Sequence, residues 1–270
     1  MDAACILRND IIKEDLYIIF ACYGEAPWYR KKLLQLTQVK SERLFIVDTK
    51  NTERFGDDIN KWHDFSAYQF GLNKALEEAV HDLDQMRIIF LNDTFFQGHI
   101  NIFALANLKR TLRSALETPS GSCRFLGWVK EYNDISYIST WLFAILGSPS
   151  SIKEVRFMCS SENNAFIEKF GSELSDALKI QISKWIRPSG LLRGWQGFKG
   201  ILMTEELYDI KRAITYSELT LPSRLEAVGF EMENIVKDAR YRFSLLYALD
   251  RAVHIVKKAA SRIMAKHGTS

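Results

Sequence analysis

From Leu16 to Leu91 the chain alternates between two hydrophobic patterns. Three continuous apolar runs, LYIIFAC (Leu16–Cys22), LFIV (Leu44–Val47) and IIFL (Ile88–Leu91), each end in polar or turn-forming residues: Tyr23-Gly24, Asp48 and Asn92-Asp93-Thr94. Short apolar runs closed in this way predict strands buried on both faces. Between them the apolar residues return at helical spacing, in Trp28–Gln38 and again in Phe65–Leu83. The second stripe is Phe65, Tyr68, Leu72, Ala75, Leu76, Ala79 and Leu83, with Asp64 standing where an N-cap belongs. Strand, helix, strand, helix, strand predicts parallel strands with right-handed crossovers in a doubly wound sheet.

The second half is patterned less regularly. Ile102–Leu116 predicts a helix, stopped by Thr118-Pro119-Ser120-Gly121. Arg124–Val129 and Ser139–Gly147 predict strands laid on the first sheet, and Phe166–Leu174 a short helix. The stretch Arg187–Gly200, RPSGLLRGWQGFKG, is rich in glycine, aromatic and basic residues and predicts a long ordered loop. A helix is expected over Tyr216–Val228, ended by Gly229, and a long basic amphipathic one over Arg240–Lys266. The division expected is therefore an α/β domain over 1–236 and a C-terminal helical extension over 237–270.

Composition narrows the classes. In 270 residues, the formal net charge of +3 is too small to imply nucleic-acid binding. Four scattered cysteines form no C-x-x-C pair and fit a reducing cytoplasm. Charges interrupt every apolar stretch of the N-terminus, unlike a signal peptide, and nothing approaches the roughly 18 apolar residues of a membrane span. The expectation is a soluble cytoplasmic protein. No G-x-G-x-x-G follows the first strand, only YGEAPWY, which disfavours dinucleotide oxidoreductases and most methyltransferases. A P-loop, a G-x-S-x-G elbow and metal-ligand histidine spacings are all missing from the sequence.

What remains is polar chemistry at strand ends. Asp48, Asp64, Asn92 and Asp93 fall at the carboxyl ends of the predicted strands or at a helix start beside them. In an open α/β sheet those ends form the ligand-binding edge. A plain strand-to-turn boundary explains each residue singly, so the weight lies on their convergence.

DFSAYQFGL (Asp64–Leu72), about twenty residues ahead of FLNDTFFQG (Phe90–Gly98), resembles the paired motifs of the rhamnan synthesis protein F family of glycosyltransferases. FLGWVKE (Phe125–Glu131), YISTWLFAILGS (Tyr137–Ser148) and ITYSELTLPSRLEAVGF (Ile214–Phe230) resemble later motifs of that family, in the same order. The resemblance spans roughly Leu16 to Phe230. It implies a single Rossmann-like domain of the GT-A type and transfer of a sugar from a nucleotide diphosphate to a saccharide, with inversion. It also implies a deoxyhexose such as rhamnose and a role in bacterial surface polysaccharide assembly (O-antigen or capsule), where a lipid-linked acceptor at the inner face of the cell membrane would suit the basic C-terminal helix.

Residue by residue, the resemblance makes Tyr23 and Asp48 nucleotide contacts, against a loop tyrosine and a strand-end turn residue as the plain alternatives. Asp64, with Tyr68 one turn on, faces the donor sugar, or Asp64 is simply a helix cap. Asn92-Asp93-Thr94 takes the place of the D-x-D by which related enzymes hold a divalent ion. Asp93 is its only carboxylate, so Mg²⁺ or Mn²⁺ is expected to bind weakly, or to be replaced by cationic side chains. Arg187, Arg193 and Lys199 are the candidate cations for the leaving diphosphate, unless that loop is only a solvated basic surface. Phe95 and Phe96 are expected to wall the pocket. Glu218 is the candidate general base with Asp64 as fallback, although a glutamate at a helix start also suits the helix dipole.

The competing class is a non-catalytic module that keeps the fold and binds a glycan or a protein. For the C-terminal helix, the stripe Leu246, Leu249, Val253, Val256, Ala260 and Ile263 beside Arg251, Lys257, Lys258, Arg262 and Lys266 suits peripheral membrane contact. Packing on the domain, or on a second copy as a homodimer, is the alternative.

Overall fold

The computed structural model describes residues 15–55, 64–79, 83–96, 101–132, 135–157, 171–172, 174–187 and 204–235. The protein is an α/β structure built on one six-stranded, mostly parallel sheet. Its strands are β1 (Leu16–Cys22), β2 (Leu44–Asp48), β3 (Met86–Asn92), β4 (Arg124–Tyr132), β5 (Ile135–Gly147) and β6 (Glu231–Asn234), in the order β2-β1-β3-β5-β4-β6. Only β5 runs against its neighbours. The two later strands therefore do not lie on the first sheet; they extend it.

Around the sheet stand α1 (Ala26–Thr37), the single turn α2 (Thr52–Phe55), α3 (Asp64–Glu78), α4 (Asn101–Glu117), α5 (Pro149–Lys153), α6 (Asp176–Ile186) and α7 (Glu205–Ala227). The central strands β1 and β3 are buried at every position, as the continuous apolar runs demand. Alternate residues of β1 feed two cores. Tyr17, Ile19 and Ala21 pack with Phe65, Tyr68 and Leu72 of α3 and Leu219 of α7. Leu16, Ile18, Phe20 and Cys22 pack with Leu33 of α1 and Leu108 and Leu112 of α4. Helices thus cover both faces. Gly71 lets α3 lie close on the sheet, because a Cβ there would overlap the Ile19 side chain.

Arg87, at the start of β3, is fully buried. Its guanidinium donates to the carbonyls of Ala115 (2.8 Å) and Thr118 (2.9 Å) and pairs with Asp15. It thereby supplies a cation to the carboxyl end of α4, whose last carbonyls lack helical partners.

Three elements differ from the sequence reading. The helix expected from Tyr216 begins at Glu205, where the Thr204 hydroxyl accepts the Leu207 N–H (3.1 Å) and Glu205 and Glu206 occupy the first turn. Glu218 is therefore well inside the helix, and a dipole role at a helix start does not apply to it. The helix from Phe65 ends at Glu78 rather than Leu83. The strand β6 was not expected, and it pairs with β4 in parallel from Arg124↔Glu231 to Gly127↔Asn234. Of the expected helix Phe166–Leu174, Gly171 and Ser172 are helical, while residues 166–170 and 173 lie outside the described residues. The C-terminal segment 237–270 lies wholly outside them. Among the described residues no helix is long and apolar enough to cross a membrane.

Candidate functional site

Parallel pairing aligns the strand ends that carry the polar residues. Cys22 is opposite Asp48 and Ala21 opposite Asn92, so β2, β1 and β3 finish side by side. β5 is longer than its neighbour: its last pair with β3 is Leu91↔Leu142, and Ile135–Ile138 continue beyond, paired with Val129–Tyr132 of β4. A two-stranded arm therefore projects past the carboxyl edge of the sheet.

On the β2 side, Asp48 Oδ1 accepts the backbone N–H of Gly24 (2.7 Å) and of Lys50 (3.0 Å). One carboxylate oxygen thus fastens the β1–α1 loop, as a strand-end turn residue does. The loop turns sharply, with Gly24 at φ 86° and Glu25 at φ 58°. Glutamate in that left-handed region costs on the order of 1–3 kcal/mol. The turn leaves Tyr23 62% exposed, and Trp28 in the first turn of α1 is 46% exposed. Trp28 and Tyr29 meet the ring of Phe96 at 5.5 and 5.3 Å, while Phe95 is buried. Phe96 thus belongs to an aromatic wall beside the edge, and Phe95 to the core beneath it.

At the centre, the Asn92 side-chain amide donates to Asp64 Oδ2 at 2.6 Å. Asp64 opens α3, and its carboxylate is turned to Asn92. Burial pushes its pKa up to about 6, and the charges of Asp93 and Glu218 add to that rise. The Asn92 hydrogen bond and Lys211 act in the opposite direction. Asp93 begins a single 3₁₀ turn, Asp93–Phe95, after β3. Its charge reaches Tyr29 and Cys22 as well, although burial is the main cause of the rise of both to about 12. The Cys22 thiol accordingly stays protonated and is no nucleophile.

On the arm side, Glu218 Oε1 accepts from the Thr140 hydroxyl (3.0 Å) and, more weakly, from the Thr140 N–H (3.5 Å). The Thr140 carbonyl accepts the Tyr68 hydroxyl at 2.9 Å. Tyr68 is 0% exposed among Phe65, Phe90, Phe143 and Phe157. It is therefore a core residue that holds Thr140 in place and is sealed from any ligand, which corrects its expected role as a sugar contact. One turn beyond Glu218 in α7, Pro222 lacks the N–H that would bond the Glu218 carbonyl, a local break in the helix ladder beside this residue.

Of the basic residues expected from the sequence, Arg187 is the one among the described residues, and it stands elsewhere. Arg187 caps the end of α6, pairs with Glu205 (2.9 Å) and covers the Tyr208 ring (4.0 Å). Thirteen residues of α7 separate Glu205 from Glu218, a rise of about 20 Å. Arg187 thus serves the α6–α7 contact. Arg193 and Lys199 lie outside the described residues. Among the described residues Lys211 acts on the Asp64 carboxylate, and Lys130 feels Glu218. Neither was singled out from the sequence, nor was Thr140. Their signal was faint: polar residues inside segments that read as strand or helix.

Among the described residues no group of three His, Cys, Asp or Glu side chains is placed to hold a metal ion. The Asn92 amide N–H is committed to Asp64, and Asp93 is the one carboxylate that the Asn92-Asp93-Thr94 segment could offer a divalent ion, alongside phosphate oxygens of a ligand. A cavity of about 510 Å³ lies elsewhere, between α1, the edge of β2 and α3, lined by Pro27, Arg30, Phe45, Arg54, Phe70 and Lys74. None of the edge carboxylates borders it.

The arrangement suits a polyhydroxylated, charged ligand. Carboxylates accept hydroxyl protons, exposed aromatics stack on apolar ring faces, and Glu218 is oriented by a hydrogen bond to the strand that faces it. Comparison with protein-family models, with curated proteins and with solved structures finds no match.

Proposed function

We propose that the protein is a nucleotide-sugar-dependent glycosyltransferase of the GT-A type, similar to the rhamnan synthesis protein F family. The observation that carries this reading is the Glu218 carboxylate, held by Thr140 and within electrostatic reach of Asp64, at the carboxyl edge of a mostly parallel sheet. Ligands of such sheets bind outside the strand ends.

On this reading the donor lies along the edge from Tyr23 and Asp48 to Asn92 and Asp93, and the acceptor approaches from the β4–β5 arm. Glu218 takes the proton of the acceptor hydroxyl as its oxygen attacks the anomeric carbon. The bond from that carbon to the diphosphate oxygen breaks, and the electron pair leaves with the nucleoside diphosphate on the opposite face. The configuration inverts. Asp64, held by Asn92, accepts hydroxyls of the donor sugar. No step is assigned to a metal.

The transferred sugar is a hexose, with a deoxyhexose such as rhamnose favoured by the resemblance, and the acceptor a saccharide of a bacterial surface polysaccharide. The basic amphipathic segment Arg240–Lys266 would hold the enzyme against an anionic lipid surface where a lipid-linked acceptor resides. Sedimentation with anionic vesicles at low salt should carry down the full chain and not a chain ending before Arg240.

Thermal shift against a panel of nucleoside diphosphates and their sugars tests the reading directly, since a ligand selective for the folded state raises Tm. One nucleotide class should stabilise the protein. A flat response across the panel at millimolar ligand would remove the enzyme reading.

A further inference from the structure

Lys130 is on the projecting arm, in β4, where it pairs with Tyr137 of β5. FLGWVKE was singled out from the sequence as a motif, but no role was assigned to its lysine, which follows the strand expected over Arg124–Val129. Its ammonium rests over the Trp128 ring, 4.7 Å from the centroid, and feels the Glu218 carboxylate. It makes no hydrogen bond or ion pair with the described residues, whereas Lys74 and Lys179, on the surface, each bind an acid.

A partly desolvated ammonium over an aromatic face needs acceptor oxygens. The ring supplies attraction without a lone-pair acceptor, and burial lowers the amine pKa. Glu218 acts in the other direction, favouring the charged form. A bound anion would do the same at closer range.

We infer that Lys130 is the anion-recognition residue of this site, holding a phosphate or carboxylate oxygen of a substrate beside Glu218 from the arm that overhangs the strand ends. The inference rests on the glycosyltransferase reading for what the anion is. Two sources share the chemistry: the diphosphate of the donor, or an acidic group on the acceptor saccharide. Either way the cation comes from the β4–β5 arm, and Arg187 is engaged elsewhere by Glu205 and Tyr208.

The test is calorimetric titration of the full chain, wild type against Lys130→Met and Lys130→Arg. The probes are inorganic pyrophosphate, uridine, thymidine and guanosine diphosphates, and glucuronate. Methionine keeps an unbranched stem against Trp128 while removing the charge. If the anion is the donor's, Lys130→Met weakens pyrophosphate and one nucleoside diphosphate by about 10-fold or more, and Lys130→Arg stays within about 3-fold of wild type. If it is the acceptor's, the same loss appears with glucuronate and not with the diphosphates. Equal binding of every probe by wild type and Lys130→Met, or binding of none by wild type, overturns the inference. A second measurement needs no folded variant. In wild-type protein carrying ¹³C-methylated lysines, pyrophosphate or glucuronate should move the Lys130 resonance, and an unmoved resonance at saturating probe also overturns the inference. The two readings separate cleanly. Nucleoside diphosphate binding that is indifferent to Lys130→Met leaves the glycosyltransferase and removes Lys130. A Lys130 response to pyrophosphate, with no nucleotide bound, leaves the anion site and removes the glycosyltransferase.

Discussion

The Asn92 side-chain amide donates to the Asp64 carboxylate at 2.6 Å, joining the end of β3 to the start of α3 across 28 residues of chain. Asn92 meets that carboxylate with an amide donor. It steadies the carboxylate instead of repelling it.

Stability should follow Asp64. Its folded pKa of about 6 lies above the ordinary aspartate value of about 3.9, so between those limits the folded state holds the extra proton. The contribution is fully present below about pH 4 and is lost as pH rises through 6. Asp64→Asn, which removes the half-buried charge, should stabilise the protein at pH 8 by on the order of 1–2 kcal/mol and much less at pH 4.5. Urea unfolding at the two pH values reads this. A destabilised variant at pH 8 would show that the carboxylate is better solvated than its burial implies.

Glu218→Gln should lower turnover by roughly 10²-fold or more with donor affinity nearly unchanged, as for a removed base. Thr140→Val should lower kcat by a smaller factor, on the order of 10-fold, through lost orientation, and Thr140→Ser should restore most of it. Near-wild-type turnover in Glu218→Gln would pass the base role to Asp64.

Activity should persist in EDTA, at half or more of its untreated level, because Asp93 is the one carboxylate in Asn92-Asp93-Thr94. Asp93→Asn should still impair transfer, since the charge of Asp93 reaches Asp64, Tyr29 and Cys22. Full loss in EDTA, reversed by Mn²⁺, would place a metal on Asp93 after all.

Arg87→Ala should cost about 3–5 kcal/mol, because Asp15 and the carbonyls of Ala115 and Thr118 lose their shared donor inside the fold. Denaturant unfolding measures it, and a loss under 1 kcal/mol would mean that water replaces the guanidinium. Catalysis should be unaffected where the variant is folded, since Arg87 is at the opposite end of β3 from Asn92.

Much of the framework was legible in the chain itself. The runs at Leu16 and Ile88 read as strands buried on both faces and are so. The run at Leu44 reads as a strand but lies at the sheet edge with Phe45 and Ile46 half-buried. The stripe from Phe65 reads as a helix laid on the sheet, because periodicity is a local property. So was the clustering of polar groups at strand ends, since parallel strands share one edge. The start of α7 was also written, in Thr204-Glu205-Glu206, but its first turns are so charged that the apolar stripe is thin there. What the tertiary structure alone decided is pairing. Nothing in Glu231–Asn234 marks a strand until β4 lies beside it, and nothing local sets β5 between β3 and β4. Tyr68 belongs to the same apolar stripe whether its hydroxyl meets a ligand or the Thr140 carbonyl 72 residues away; only packing sends it inward. Glu218 was marked as a candidate base, but nothing in the sequence joins it to Thr140, 78 residues earlier, or to Lys130 on the strand beside Thr140. They meet because a hydrogen bond or a field acts over a few ångströms of space, whatever the length of chain between.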